Sequence, residues 1–159
     1  MYKLLLLFSI STSLAGCMDS MHSGSSAKTH FDSDGERIYF TGRSKEGELI
    51  QAVGGQHHVK MHGGSCVTCH GAEREGGAIM WPRFWVSAPP LTYKALVQTH
   101  DDGHQHDSYD ASALKLSILK GINPEGKPLH DTMPRWEMSD KDLNALVDYL
   151  LTSAAPHTH

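Results

Sequence analysis

The chain has 159 residues, 39% of them hydrophobic and 20% charged, with a formal net charge of −4. That length suits one domain, and without an excess of basic residues nothing points to the patch a nucleic-acid partner needs. No Gly-rich phosphate loop, nucleophile elbow or zinc-protease motif occurs, so no enzyme site is expected.

The N-terminus reads as an export signal. Lys3 gives a minimal positive flank, and the apolar run Leu4–Ile10 is too short to span a bilayer as a permanent helix. Leu14-Ala15-Gly16-Cys17 sets small residues before a cysteine and resembles a bacterial lipoprotein signal. Residues 1–16 would then be removed and Cys17 lipidated. The other reading is an ordinary signal peptide cleaved nearby, with Cys17 left as a free thiol. Lipid chains would anchor the protein to a membrane, each buried methylene contributing roughly 0.8 kcal/mol. Residues 17–31 form the lipidated N-terminus and a tether, Met18–Thr29 being Ser/Gly/Met-rich with no apolar period. Residues 32–153 form the domain and 154–159 a tail.

Gly35–Phe40 is the first expected helix, with Asp32, Ser33 and Asp34 as candidate caps. Residues 43–64 look irregular, apart from the weakly alternating Glu48–Val53, which suggests one strand of a small hairpin.

Next comes Cys66-Val67-Thr68-Cys69-His70. Two thiols three positions apart, followed at once by histidine, is the spacing that fixes a c-type haem. Two sulfurs one helical turn apart can add across the two vinyl groups of one porphyrin edge. The following imidazole then lies under the ring as the proximal iron ligand. Cys66 and Cys69 are the expected thioether links and His70 the ligand. A zinc half-site needs two further ligands, and a dithiol redox pair needs a neighbouring βαβ pattern. No fourth cysteine is present, since the chain has three in all. With one cysteine for lipid and two for haem, none remains for a disulfide.

Gly71–Gly77 is a polar turn, and Met80–Trp85 an aromatic, proline-broken segment that either packs over a haem edge or anchors a loop. Thr92 caps an expected helix Tyr93–Thr99. A helix from Asp110 or Ser112 runs to Lys120, with Gly121 as its left-handed end, and Asn123–Gly126 is a turn. Ser139-Asp140-Lys141-Asp142 resembles a capping box. Leu143, Leu146, Val147, Leu150 and Leu151 then make one apolar stripe, ending near Thr152.

The filling of the sixth iron position separates electron transfer from ligand chemistry. Met133 is the candidate, in a loop between two helices where Pro134 biases it toward extended backbone. A thioether favours reduced iron and raises the potential. Met138, Met80, Met61, His62 and His130 are rivals, and a plain gap-filling methionine is the alternative.

The order of short helix, CxxCH, Pro-Leu turn, two helices, Met-Pro loop and amphipathic last helix resembles a class I, monohaem cytochrome c over residues 34–152. The resemblance implies an all-α fold packed around one covalent haem c. It implies crossed first and last helices, with Gly35, Tyr39 or Phe40, and Tyr149 or Leu146 at the crossing. It also implies a proline carbonyl that accepts the axial histidine's Nδ1 proton, and Pro89 matches. Haem attachment in this family takes place outside the bacterial inner membrane, which agrees with export. Residues 43–64 depart from compact members as an insertion.

The chain also has 12 histidines. His57, His58 and His62 cluster, as do His100, His104 and His106 with Asp101, Asp102 and Asp107, and His157 with His159. They read as solvated polar segments or as a copper, zinc or nickel site. The expected function is a lipid-anchored, periplasm-facing one-electron carrier between redox proteins, whether alone or within a respiratory complex. The mild negative charge would suit a basic redox partner. The alternatives are a haem sensor with an exchangeable sixth ligand and a His-rich metal-binding lipoprotein.

Overall fold

The computed structural model describes residues 28–81, 84–98 and 107–152. Helix α1 (Asp34–Thr41) begins where Ser33 accepts the Glu36 amide at 3.0 Å and ends at Gly42, whose φ of 64° is left-handed. Ahead of it, Lys28 pairs with Glu36 at 2.6 Å and the Asp32 amide donates to the same carboxylate at 2.7 Å. The last residues of the expected tether therefore lie against α1.

The region after α1 is more regular than expected. Strand β1 (Gln51–Val53) is followed by helix α2 (His57–His62), and then by α3 (Val67–His70) at the CxxCH stretch. Strands β2 (Gly77–Trp81) and β3 (Phe84–Ala88) form an antiparallel hairpin in register Trp81↔Phe84 to Gly77↔Ala88. The proline-broken segment is thus strand on both sides of Pro82. Pro82 and Arg83 lie outside the described residues.

Helix α4 (Tyr93–Val97) has the expected Thr92 cap but stops at Gln98, and Thr99 lies outside the described residues. Helix α5 (Ala111–Lys120) is capped by Asp110 and closed by Gly121 with φ 67°. Strand β4 (Arg135–Glu137) precedes helix α6 (Asp140–Leu151), where the Ser139 hydroxyl accepts the Asp142 amide at 3.1 Å.

The all-α expectation needs correction, because the helical fold carries two small two-stranded sheets. The strand expected near Glu48–Val53 exists: Leu49 bridges Arg43 in a small local hairpin, with the Ser44 amide donating to the Glu48 carbonyl at 2.9 Å, and the strand then runs on as β1. It pairs with β4 in register Gln51↔Glu137, Ala52↔Trp136, Val53↔Arg135. Trp136 is buried in the core, so seating that indole draws the two distant strands together.

The core lies between α1, α5 and α6. Leu143, Leu146, Val147 and Leu150 are buried as the apolar stripe requires, against Ile38 and Tyr39 of α1 and Leu114 and Ile118 of α5. Each such side chain contributes about 1.5–3 kcal/mol when fully buried. The helices α1 and α6 cross at Gly35, where a Cβ would collide with the Ala145 carbonyl. Tyr39 and Tyr149 fill the flank, with ring centroids 5.5 Å apart. Among the described residues no helix is long and apolar enough to cross a membrane.

Gly35→Val should destabilise the fold by roughly 1–3 kcal/mol through overpacking at this crossing. Denaturant unfolding followed by circular dichroism measures it, with Asn144→Ala on the exposed face as the neutral control. Equal midpoints for the two variants would contradict the crossing contact.

Candidate functional site

Helix α3 is a single turn, and its hydrogen bonds set the spacing of its side chains. The Cys69 and His70 amides both donate to the Cys66 carbonyl, at 3.2 and 2.9 Å. Gly71, with φ 77°, ends the helix directly after His70. Cys66, Cys69 and His70 thus leave one short helix into the same cavity wall.

His70 is buried, and its Nδ1 lies 2.8 Å from the Pro89 carbonyl oxygen. With that nitrogen donating, Nε2 is the ring's free lone pair, as an iron ligand requires. Pro89 is placed by the turn after α3. Gly76, with φ 78°, packs so closely that a Cβ would collide with the Ala88 carbonyl. The Leu91 amide donates to the Arg74 carbonyl at 2.7 Å.

Two further residues complete this frame: Tyr39, expected only at the helix crossing, and Arg74, which carried no sequence signal. Tyr39, buried in the core, donates its hydroxyl to the Gly71 carbonyl at 2.7 Å. Burial pushes its phenol far above the usual range, so it stays a donor. Arg74 is buried with a left-handed φ of 60°. Its Nη1 donates to the Tyr149 and Leu150 carbonyls at 3.1 and 3.3 Å, and its guanidinium lies 5.0 Å from the Tyr149 ring centre. It thereby satisfies the C-terminal carbonyls of α6, where a cation is favoured. A lone arginine in a glycine-rich turn has no spacing that could announce this.

The cavity that Cys66, Cys69 and His70 enter measures about 210 Å³ and is partly open to solvent. Its wall is mostly apolar, with Leu96, Leu114, Ile118, Trp136, Leu146 and Leu150 among the lining residues. Val86, Ser87 and Ala88 of β3 also line it, while Trp85 is 65% exposed. The aromatic segment therefore contributes a strand to the wall and turns this indole outward.

Cys66, Cys69, His70, Pro89 and Met133 all line this one cavity. Met133 does not lie in plain extended loop. Its amide donates to the His130 carbonyl at 3.1 Å, closing a turn. Of its rivals, Met138 lies away from the cavity among core residues and Met61 is 61% exposed. His130 does line the cavity, with Nδ1 accepting the Thr132 amide at 3.2 Å. The side chains of His62 and Met80 lie outside the described residues, as do Cys17, His100, His104, His106, His157 and His159.

The chemistry of the lining suits a large apolar group tied through sulfur. Burial pushes the Cys66 thiol up to about 12 and raises that of Cys69 as well. A reactive dithiol needs thiolates, and burial disfavours them here. Among the described residues no group of three or more His, Cys, Asp or Glu could hold a metal ion. A thioether, by contrast, carries no charge and loses nothing by burial. A neutral imidazole, a neutral thioether and two sulfurs on one helical turn fit a haem at this place.

The family model described as Cytochrome c matches residues 52–154, more than half of the chain. No curated protein and no solved structure matches it.

Burial holds His70 below the usual histidine range, against a smaller opposing effect of the Pro89 hydrogen bond. The fold thus favours the neutral, ligating imidazole. Unfolded chain takes up the proton first, so acidification below the ordinary histidine value should cost stability. In the haem-loaded protein the histidine-ligated visible spectrum should persist as pH falls through about 6.5. A spectrophotometric titration with its midpoint at or above that value would contradict the assignment.

Proposed function

This chain belongs to the cytochrome c family, and we propose that it is a lipid-anchored, periplasm-facing monohaem electron carrier with His70 and Met133 as axial ligands. The observation that carries the reading is the meeting of Cys66, Cys69, His70 and Met133 in the wall of one apolar cavity. Cytochrome c domains bind haem c covalently and transfer electrons rather than catalyse substrate chemistry. The haem supplies one-electron chemistry between Fe(III) and Fe(II).

The chain's own residues perform the rest. Cys66 and Cys69 would hold the porphyrin through two thioethers, each thiol adding its sulfur and its proton across one vinyl group. Pro89 holds the His70 ring by its Nδ1 proton, which orients Nε2 and raises its basicity. Met133 supplies a soft, neutral sulfur that favours the reduced state. The leucines of α5 and α6 exclude water, so a change of charge inside meets little solvent rearrangement. The partners are a redox donor and a redox acceptor, met through the small, weak interfaces usual for such encounters.

Met133→Ala should abolish the weak near-infrared sulfur-to-iron absorption of the oxidised protein and open the reduced protein to carbon monoxide. Survival of that band would remove Met133 as ligand. Carbon monoxide binding by the unmodified protein would instead favour an exchangeable sixth position and a sensing role.

The anchor rests on Leu14-Ala15-Gly16-Cys17. Cys17→Ala should move the exported protein from the membrane fraction to the soluble periplasmic fraction with its haem spectrum unchanged. A variant that stays with the membrane would contradict lipidation at Cys17.

A further inference from the structure

The turn that carries Met133 is held from outside by a residue two positions later. Arg135, the first residue of β4, donates through Nη1 to the Met133 carbonyl and through Nη2 to the Leu129 carbonyl at 3.3 Å. Those two carbonyls bracket the turn. One planar fork therefore joins its two ends, and arginine, unlike lysine, has the paired donors for this.

The fork has a built seat. Gly121 closes α5 in the left-handed conformation, and a Cβ there would overlap the Arg135 guanidinium. The Leu129 amide donates back to the Gly121 carbonyl at 2.7 Å. The guanidinium thus lies at the C-terminal end of α5, where the helix dipole favours a cation.

The backbone beneath the fork is fixed by residues 51–55. Val53 pairs with Arg135 and Ala52 with Trp136. Gly55, with φ 70°, packs on Pro134, and a Cβ there would lie 3.0 Å from the proline Cβ. These residues belong to the 43–64 insertion, from which Gln56 and Val59 also line the cavity.

We infer that Arg135, set in register by β1 of the insertion, is the positioning residue that holds the Met133 turn closed over the cavity. This rests on Met133 being the sixth ligand.

The test uses the ferric, haem-loaded protein and imidazole as a competing ligand. Imidazole binds only when the sulfur has left the iron, so its apparent affinity reports the open fraction. Arg135→Ala and Arg135→Gln should bind imidazole at least tenfold more tightly than the unaltered protein. Arg135→Lys, with charge but no fork, should fall between. Hydrogen exchange at the Met133 amide should quicken in the same order, a readout that a loss of general stability alone would spread over the whole domain. Should Arg135→Ala fail to take up haem, the Gln and Lys variants carry the comparison. Imidazole affinity within twofold of the unaltered protein in these variants overturns the role of Arg135, provided Met133→Ala itself gains affinity. If Met133→Ala gains none, Met133 is not the ligand, and both readings fall.

Discussion

The architecture depends on the contact among Tyr39, Arg74 and Tyr149. Tyr39 comes from α1, Arg74 from the turn after α3, and Tyr149 from the end of α6. The Tyr39 hydroxyl reaches the Gly71 carbonyl, the Arg74 guanidinium reaches the Tyr149 and Leu150 carbonyls, and both side chains contact the Tyr149 ring. A buried guanidinium is costly unless its donors are used. Here two helix-terminal carbonyls and an aromatic face receive it. The one-turn helix α3 has too few internal hydrogen bonds to hold itself. Its position comes from this three-way contact, and with it come the places of Cys66, Cys69 and His70.

The two ends of the cavity are built on different principles. The histidine end is held by several links: Tyr39 to the Gly71 carbonyl, Arg74 to the end of α6, and the turn through Gly76 and Leu91 to the Pro89 carbonyl. The methionine end rests on a turn, a three-residue strand pair and one guanidinium fork. Both ends meet the same apolar wall from α5 and α6. That wall serves at once as the hydrophobic core of the domain and as the dry surroundings of the redox centre, so core stability and water exclusion are one property here.

Much of this was legible in the sequence. The CxxCH spacing, the Ser139 cap and the α6 stripe are local signals, each written within a dozen residues, and the structure follows them closely. Gly35, Tyr39 and Tyr149 at the crossing, and Pro89 beside His70, follow from the family resemblance. Illegible were the features made at long range. Nothing within Gln51–Val53 states that its mate is Arg135–Glu137, because a three-residue strand has too little pattern to choose a partner. The pairing of Gly77–Trp81 with Phe84–Ala88 was likewise hidden, because the aromatic segment has no alternating pattern. Arg74 and Arg135 are single charged residues in turns, and their carbonyl acceptors belong to backbone that the sequence leaves unspecified. The family match begins at residue 52, after α1, yet α1 supplies Tyr39 and the Gly35 crossing. The recognisable part of the chain is therefore shorter than the part that builds the site.

The difference between the two ends has a physical consequence for how the site opens. Local opening follows the segments with fewest buried contacts. On the histidine side, opening would expose the Arg74 guanidinium and Tyr39 and undo the crossing of α1 on α6, which amounts to unfolding the domain. On the methionine side it needs only the release of the 129–133 turn. His70 is thus tied to the global stability of the fold, and Met133 to a smaller, local free energy. In the insertion, β1 pairs with β4 beside that turn, while Ile50 and Val59 join the core. Residues 43–64 therefore brace the 129–133 turn and complete the hydrophobic core, two tasks carried by one segment.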